Sequence, residues 1–551
     1  MSLYQSHAFE IPDETEQVAK AAFPKGNVYM TMRDALGPLF ADEDFAALFA
    51  WQGQTGESPG LLAMVTVMQF MEGLTDRQAA EGVRSRIDWK YALGLQLTDA
   101  GFHYSILSPF RDRLLAGSAE AQLFDRVLER LKECGLVKKR GQQRTDSTHV
   151  LAAVRSLNRL ELVGETLRRV LDDLARLAPD WLLAQVTPDW FERYGVRFEV
   201  YRLPQEKAER EALQVQIGQD GYRLLDAIYR NPAMNWLGKI ASVEVMRQVW
   251  IQQYYCEGDQ VRWRERGNLA PNNQLIMSPD DAEARNRTKR TTNWTGYAVH
   301  LTETCDPAGP NIITHVATTP ATTADVTLID TIHADLAQQD LLPSEHLVDA
   351  GYIAADQMLH SQQDHQVDLL GPTAGGGSWQ ANAGQGFDVS CFVVNWQTQT
   401  VTCPQGKTSQ HWNRGRGKYG HEFYKISFAP ADCHACAFQH DCTRSKRGVR
   451  ILGLRPQAEY EILEAARARQ VTHEFKTRYK PRAGIEGTIS QGTRAFELRC
   501  TRYIGLAKSH LQHLATASAM NLTRVVVWLM EHKPKAQTRI CLLYTSDAAD
   551  E

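Results

Sequence analysis

The sequence predicts an α/β protein whose mixed β-sheet is preceded, interrupted and followed by helical segments. Between residues 293 and 371, patterns of strand, strand, helix, strand, helix and strand follow one another, an order that is typical of α/β folds. Apolar residues recur with helical spacing in 30–138, in 155–270 and again after 456. These helical regions therefore lie outside the sheet or are inserted into it.

The strands are predicted from alternating polarity and from short apolar runs. Residues 294–301 alternate, and residues 312–316 form a second strand after a turn rich in Pro and Gly. Helical spacing over 325–338 precedes a short apolar strand at 345–351, and 367–371 forms the last strand. Because the strand at 345–351 contains a carboxylate near its end, it offers a candidate functional residue at a sheet edge.

Two short helices are predicted in the N-terminal region. A Ser-Pro pair at 58–59 begins a helix over about 61–72, and a Thr-Asp pair at 75–76 begins a second helix that runs to Arg84. The turn between them contains Gly73. This pattern suggests a DNA-binding helix-turn-helix, but on its own the signal is weak, because any small helical bundle gives the same pattern.

Later segments are predicted from composition and spacing. Residues 374–386 are rich in Gly, Ala and Ser and are predicted as a linker that opens an irregular Trp- and Cys-rich segment reaching about 448. Helical spacing returns at 456 and again over 484–530, where it predicts a long helix after Glu486.

Composition limits the class of protein. The chain has 551 residues, too many for one core, and is 43% hydrophobic and 23% charged, as in ordinary soluble proteins. It contains no run of 18 apolar residues, so no membrane span is expected. Residues 1–16 are polar and acidic, unlike a secretory signal. A cytoplasmic location is therefore expected.

The charge balance is uneven along the chain. The formal net charge of −4 argues weakly against nucleic-acid binding, but basic side chains cluster in 138–144, 285–290 and 476–508. Local patches set the field that a phosphate meets. Taken alone, each basic run is an ordinary solvated surface. The runs indicate contact with phosphates only where they flank candidate catalytic residues.

The last eleven residues, 541–551, read CLLYTSDAADE. They resemble the translation of a sequencing adapter fused to a truncated reading frame and are excluded from the fold prediction. The alternative is a genuine disordered tail.

Three acidic residues stand in segments suited to metal chemistry. Asp146 is followed by Ser, Thr and His, and Asp349 ends an apolar strand before Gly351, which allows a sharp exit. Glu486 follows Arg482 by four positions, so the two share one face of a helix. Taken singly, these residues are ordinary strand-end carboxylates and a helical ion pair.

Together the segments resemble bacterial insertion-sequence transposases with a DDE catalytic domain of RNase H-like fold. The resemblance covers residues 15–530 and rests on four motifs in the family's order: Asp-Ser-Thr-His from 146, Trp-Thr-Gly-Tyr from 294, Val-Asp-Ala-Gly-Tyr from 348, and Tyr-x2-Arg-x3-Glu over 479–486. The family pattern often has Lys seven residues after the Glu. Here Thr493 stands at that position and Arg494 follows it.

The resemblance implies a function and a site. Asp146, Asp349 and Glu486 would be catalytic and would hold two Mg²⁺ (or Mn²⁺) ions, since hard cations prefer oxygen ligands. Two such ions support hydrolysis at the element's end and then transfer of the freed 3′-OH into target DNA. The residues that would contact DNA are Tyr479, Lys480, Arg482, Arg494, Arg77 and Arg84.

The resemblance also implies partners and domains. Double-stranded DNA, as terminal inverted repeats and as target, would be bound by a homodimer at the bacterial nucleoid. The predicted domains are a helical N-terminal domain for the terminal repeats at 1–125 and an RNase H-like catalytic domain at 126–540. The catalytic domain is interrupted by a helical insertion at 157–275 and a Cys-rich insertion at 375–450.

The Cys-rich insertion carries a separate metal signal. Cys403, Cys433, Cys436 and Cys442 have a spacing that suits a structural Zn²⁺. The first half lacks a second nearby Cys, so four histidines are alternative ligands, namely His411, His421, His434 and His440. Unligated surface cysteines are the other interpretation.

Two functions besides transposition are compatible with the sequence. A DDE-type nuclease would cut DNA with the same metals and join nothing. A zinc-containing DNA-binding regulator derived from a transposase would have lost a triad carboxylate, whereas all three are present. A defective copy of the element is a third reading.

Overall fold

The structure, a computed structural model, describes residues 9–50, 52–53, 55–307, 309–373, 378–417 and 420–532. The predicted tail at 541–551 and residues 374–377 of the predicted linker lie outside these ranges. No helix within them is long and apolar enough to cross a membrane.

The strands are, in chain order, β1 (Gln142–Leu151), β2 (Tyr254–Glu257), β3 (Gln260–Trp263), β4 (Arg285–Lys289), β5 (Thr292–Thr304), β6 (Ile313–Pro320), β7 (Glu345–Val348), β8 (Asp368–Leu370), β9 (Val393–Asn395), β10 (Thr400–Thr402), β11 (His411–Arg416), β12 (Glu422–Ser427) and β13 (Ile451–Leu454).

The helices are α1 (Asp13–Ala22), α2 (Val28–Leu36), α3 (Pro59–Met71), α4 (Asp76–Ser85), α5 (Ile87–Leu93), α6 (Leu107–Ala116), α7 (Gln122–Glu133), α8 (Arg159–Leu177), α9 (Pro179–Gln185), α10 (Pro188–Tyr194), α11 (Lys207–Arg230), α12 (Ala241–Gln253), α13 (Ile329–Gln338), α14 (Ala355–His365), α15 (Trp379–Ala383), α16 (Pro430–His434), α17 (Gln439–Cys442), α18 (Gln457–Gln470), α19 (His473–Tyr479), α20 (Gly484–Ala495) and α21 (Leu506–His532).

A mixed sheet forms the centre of the fold. Its strand order is β4-β5-β1-β7-β8, and β6 also pairs with β5. The strand β5 is antiparallel to β1, β4 and β6, whereas β7 is parallel to both β1 and β8. The predicted strands correspond to β5, β6, β7 and β8, so the α/β fold class with a mixed sheet core and a helical N-terminal region is confirmed.

The N-terminal helices pack directly on the C-terminal helix α21. The helix α3 is buried along its length from Pro59 to Phe70 and contacts α21. Ser58 caps α3, and Thr75 caps α4 in a reciprocal pair with Gln78, as their residue types predict. One hydrophobic core joins these helices to the inner face of the sheet. The predicted boundary between residues 125 and 126 falls within α7.

The helical insertion has a hydrophobic core of its own. Helices α8 to α12 enclose it, and its largest fully buried side chains are Trp250 and Tyr254. The purely helical prediction for 155–270 is wrong at its end, where β2 and β3 form a hairpin. Each strand has only four residues, and β2 shows no alternation of burial, so periodicity gives little strand signal there.

The segment after Glu486 is two helices rather than the one that helical spacing predicts. The helix α20 ends at Ala495, and α21 begins at Leu506. Between them Phe496 and Leu498 turn into the core, and Glu497 takes a left-handed φ of 51°. Apolar residues in this break continue the spacing without continuing the helix, which explains the wrong prediction.

The Cys-rich segment is also more regular than predicted. It contains a two-stranded sheet of β9 and β10, a three-stranded sheet of β11, β12 and β13, and the short helix α15 within the predicted linker. Its strands have three to six residues and its helices four or five. Elements this short give little periodic signal in the sequence.

Candidate active site

Two of the predicted acidic residues are neighbours on adjacent parallel strands. In the register of β1 and β7, Thr145 pairs with Val348. The next residues along the two strands are Asp146 and Asp349. Asp146 remains in β1, opposite Leu301 of β5, whereas Asp349 begins a short 3₁₀ turn and accepts a hydrogen bond from the Gly351 amide at 2.8 Å. The sheet register therefore brings the two carboxylates together.

The third acidic residue, Glu486, is linked to Asp146 by the side chain of an arginine. Arg482 Nη2 donates to Asp146 Oδ2 at 2.6 Å, and Nη1 donates to Glu486 Oε1 at 3.1 Å. Only 16% of the Asp146 side chain and 14% of the Arg482 side chain are exposed, compared with 69% for Glu486. The guanidinium thus links a mostly buried carboxylate of β1 to an exposed carboxylate in the first turn of α20.

Tyr479 lies within reach of all these charges. Burial raises the pKa of Tyr479, and the charges of Asp349, Asp146 and Glu486 raise it further. The charge of Arg482 opposes this shift. Its hydroxyl donates to the Val348 carbonyl at 3.0 Å, and its ring stacks on Phe475. The Tyr479 side chain therefore packs against the end of β7.

Burial dominates the electrostatics of Asp146. Burial raises the pKa of Asp146, and the nearby charge of Asp349 raises it further. Arg482 and the Ser147 amide, which donates to Asp146 Oδ1 at 2.8 Å, oppose this shift. Because the pKa of Asp146 stays raised despite them, the carboxylate remains incompletely compensated and would be stabilised by another cation.

A fourth carboxylate near the site was missed by sequence reasoning. Asp325 is 7% exposed, and its pKa is raised by burial and by the charge of Asp349. Lys289 Nζ lies 3.9 Å from Asp325 Oδ2, and its charge also acts on Asp146. The basic run at 285–290 pointed to Lys289, whereas Asp325 reads only as the start of a helix.

Glycine is needed at position 351 because two carboxylates lie close to its Cα, and not because the backbone turns sharply there. A Cβ atom there would lie 3.0 Å from Asp349 Oδ1 and 3.2 Å from Asp325 Oδ2, and Gly351 is absent from the glycines with positive φ. The sequence argument from backbone freedom therefore named the right residue for the wrong reason.

A cleft of about 400 Å³ opens beside the carboxylates. Its walls include Asp146, Glu486, Thr493, Arg494 and Arg499. Arg499 Nε donates to Thr148 at 2.8 Å, and Arg494 is exposed with no ion-pair partner among the described residues. Thr493, at the family's Lys position, and Arg494 both border the cleft, so a positive charge is still present there.

The helix that carries Glu486 is fixed by a buried ionic network. Glu303 of β5 is fully buried and accepts hydrogen bonds from Arg144 at 2.7 Å, Thr488 at 2.6 Å and Arg524 at 2.9 Å. Arg144 also donates to the Pro481 carbonyl. Since Thr488 lies on α20, the network ties this helix to β1, β5 and α21.

The basic runs near the site are only partly available to a ligand. Arg144 is buried in the network above, and Arg478 is paired with Glu345 and with Asp368. These two members of the predicted basic runs are therefore engaged in ion pairs within the protein. Lys480 is exposed and has no ion-pair partner among the described residues. Arg494 and Arg499 both line the cleft, and neither forms an ion pair within the part of the chain that the structure describes.

The other predicted DNA contacts lie on α4. The Arg77 guanidinium carbon is 4.9 Å from the centre of the Tyr104 ring, and Arg84 lies 3.4 Å from Glu81. Both belong to the polar face of α4, whose opposite face buries Ala79, Ala80 and Val83. They are placed on the surface of the N-terminal helices.

The donor chemistry of the site fits a divalent cation. Asp146, Asp349 and Glu486 offer oxygen ligands, and the Asp146 carboxylate lacks full compensation. As placed, however, the described side chains include no group of three or more His, Cys, Asp or Glu that could hold a metal ion. The Arg482 guanidinium lies between two of the carboxylates, so metal binding requires it to move.

The four cysteines of the insertion line a different pocket, which shares no residue with the carboxylate cleft. The structure thus separates the two metal sites that the sequence predicts.

Two segments match known protein families. Residues 17–113 match the family described as Transposase domain (DUF772), and residues 402–526 match the family described as Transposase DDE domain. No curated protein and no solved structure matches the chain. Arg77 and Arg84 lie in the first matched segment and Glu486 in the second, whereas Asp146 and Asp349 lie outside both.

Proposed function

The chain is an insertion-sequence transposase of the DDE type, and from this premise we propose that Asp146, Asp349 and Glu486 are its catalytic residues. The proposed reaction is metal-dependent cleavage of double-stranded DNA at the ends of an insertion element. Transfer of the freed 3′-OH into target DNA follows. The substrate places the protein at the bacterial nucleoid.

One observation carries this proposal. Arg482 binds both Asp146 and Glu486, and the register of β1 and β7 places Asp349 beside Asp146. The four residues come from β1, the end of β7, α20 and the turn before α20. Convergence of carboxylates from separate elements beside an open cleft is the arrangement that phosphodiester chemistry with hard cations needs.

The three carboxylates would hold Mg²⁺ or Mn²⁺. Two such ions, when bound, activate the attacking oxygen and stabilise the leaving oxygen of an in-line displacement. Asp146 and Asp349 are positioned for this by the sheet register, and Glu486 by the anchored helix α20. The exposed side chain of Glu486 faces the open side, from which DNA would approach.

Arg482 has two parts in this proposal. Without DNA it neutralises Asp146 and Glu486. With DNA bound it turns to a phosphate, which a guanidinium binds with paired hydrogen bonds. Lys480 and Arg494 add phosphate contacts beside the cleft, and Tyr479 supports the end of β7 close to the DNA backbone. Arg77 and Arg84 of α4 contribute to recognition of the terminal repeats.

The proposal is tested by cleavage of a plasmid that carries the DNA flanking the gene, which contains the element's ends. Asp146→Asn, Asp349→Asn and Glu486→Gln should each reduce cleavage in Mg²⁺ and in Mn²⁺ by at least about 100-fold, because each removes a charged ligand. Matched controls are Asp340→Asn and Glu497→Gln, two exposed carboxylates in surface ion pairs. Wild-type cleavage by Asp349→Asn would contradict the site.

Strand transfer is tested separately. A precleaved duplex with a free 3′-OH at the element's end is incubated with a target plasmid, and joined products are counted. Joining supports a transposase, whereas cleavage without joining favours the nuclease alternative. The mass of the protein–DNA complex in solution tests whether a homodimer forms on DNA.

A further inference from the structure

Four cysteines from separate parts of the Cys-rich segment surround one small pocket. Cys403 follows β10, Cys433 lies in α16, Cys436 follows α16, and Cys442 ends α17. All four are free thiols. Four thiols that face one pocket are a ligand set that suits a tetrahedral Zn²⁺ ion.

The turn at Cys403 has the backbone of a metal-binding knuckle. The Cys403 amide donates to the Lys407 carbonyl at 2.8 Å, and the Gly406 amide donates to the Cys403 carbonyl at 2.8 Å. Gly406 has a φ of 74°, which glycine adopts without strain. The turn directs the Lys407 amide to Cys403 Sγ at 3.4 Å. An amide that donates to sulfur stabilises the thiolate form, which is the form that binds metals.

A buried cation beside the pocket is only partly satisfied. Arg450 is 8% exposed and lines the pocket, and its Nη1 donates to the Cys442 carbonyl at 3.0 Å. Its Nε is buried and has no hydrogen-bond partner within the described ranges. A buried guanidinium is costly without a nearby negative charge. Arg450 is therefore suited to a pocket that holds net negative charge, as four thiolates around a divalent cation do.

One alternative ligand, His434, contacts a backbone carbonyl outside the pocket. His434 Nε2 lies 3.0 Å from the Arg447 carbonyl and has no place among the residues that line the pocket. His411, His421 and His440 are likewise absent from that lining. Of the two ligand sets that the sequence allows, four cysteines are therefore favoured over a mixture of cysteine and histidine.

We propose that Cys403, Cys433, Cys436 and Cys442 bind one structural Zn²⁺ as four thiolates, with Arg450 as the neighbouring counter-charge. As placed, the described side chains do not form a group ready to hold a metal ion, so the thiols close on zinc when it binds. The surrounding core has six buried apolar side chains, namely Phe392, Val401, Ile426, Phe428, Leu452 and Leu454. A core this small needs a further crosslink, and zinc supplies it.

The test measures zinc in the full chain purified without chelators and under reducing conditions. The expected result is one zinc per chain. Replacement with Co²⁺ should give the strong thiolate-to-cobalt absorption and the visible bands of a tetrahedral four-sulfur site. A wild-type chain that contains no zinc and takes up none on reconstitution overturns the proposal. A mass two hydrogens lower per cysteine pair in the purified chain identifies disulfides instead and also overturns it.

Variants identify the ligands. Cys403→Ser and Cys442→Ser should each lower the zinc content and change the cobalt spectrum. Cys134→Ser and Cys256→Ser, at exposed cysteines outside the Cys-rich segment, should leave both unchanged. Full zinc content in both ligand variants contradicts the assignment. If a variant fails to fold, the cobalt spectrum of the wild-type chain decides whether the site has four sulfur ligands. These readouts do not depend on DNA cleavage, so this proposal and the catalytic site stand or fall separately.

Discussion

Arg482 Nη2 lies 2.6 Å from Asp146 Oδ2, although 336 residues separate the two in the sequence. The same guanidinium also contacts Glu486. A positive charge already occupies the position between two proposed metal ligands, so Arg482 and a divalent cation compete for the same carboxylates when DNA is absent.

Arg482→Ala should therefore have opposite effects on two measurements. Without DNA, Mn²⁺ should bind about 5- to 30-fold more tightly, as expected for loss of about 1–2 kcal/mol of competing interaction. Cleavage of DNA should fall, because a phosphate contact is lost. Mn²⁺ binding is measured by titration, from the electron paramagnetic resonance signal of the free Mn²⁺ ion. The control is Arg168→Ala, which removes a guanidinium that also bridges two carboxylates, Glu165 and Asp172, in the helical insertion. Equal or weaker Mn²⁺ binding by Arg482→Ala would contradict the competition.

Gly484→Ala should destabilise the protein and misplace Glu486. A Cβ atom at this position would lie 2.1 Å from Arg144 Nη1. The Arg144 guanidinium is held by Glu303 and by the Pro481 carbonyl, so it has no free direction of movement. We expect a loss of about 1–3 kcal/mol in the free energy of unfolding, typical of overpacking, together with reduced cleavage.

Gly487→Ala is the matched control for this substitution. It lies on the same helix, and a Cβ atom there would meet no heavy atom within 4 Å. Alanine should stabilise the helix by about 0.5–1 kcal/mol relative to glycine. Urea unfolding of both variants decides the question, and equal stabilities would show that the contact with Arg144 is unimportant.

Glu303→Gln should cost far more stability than an exposed carboxylate does. Glu303 is fully buried and pairs with both Arg144 and Arg524. Removing its charge leaves two cations without a buried partner, a change that costs about 3–5 kcal/mol when a buried pair is broken. Glu497→Gln, in an exposed pair with Arg502, should cost about 1 kcal/mol or less. A loss for Glu303→Gln as small as for Glu497→Gln would show that the network contributes little.

Sequence reasoning identified four strands of the central sheet and several helix starts, because these depend on local pattern. Alternation located β5, and the Thr75 capping pair located α4 within a residue. It also paired Arg482 with Glu486, since four positions on a helix are neighbours. The contact of Arg482 with Asp146 could not be predicted, because it depends on where α20 packs against β1.

Other features of the site depend on tertiary packing in the same way. Asp325 looks like a helix start, and only the folded chain places its carboxylate beside Asp349. Arg450 gives no signal in the cysteine spacing, although it lines the same pocket. The break after Ala495 arises from the burial of Phe496 and Leu498, which apolar spacing cannot distinguish from continued helix.

Stability should fall steeply as the pH drops below about 6.5, because the fold buries neutral histidines. Burial lowers the pKa of His513 to about 3, of His333 to about 4 and of His346 well below its usual value. The unfolded chain therefore binds protons below pH 6.5 that the folded chain does not, so stability is complete above this pH and is lost as the pH falls. Each such histidine should cost about 1.4 kcal/mol at pH 5.5. Urea unfolding between pH 8 and 5 measures this slope. His513→Asn should reduce it, and His473→Asn, at an exposed position, should not. A free energy of unfolding that does not change with pH over this range would contradict the prediction.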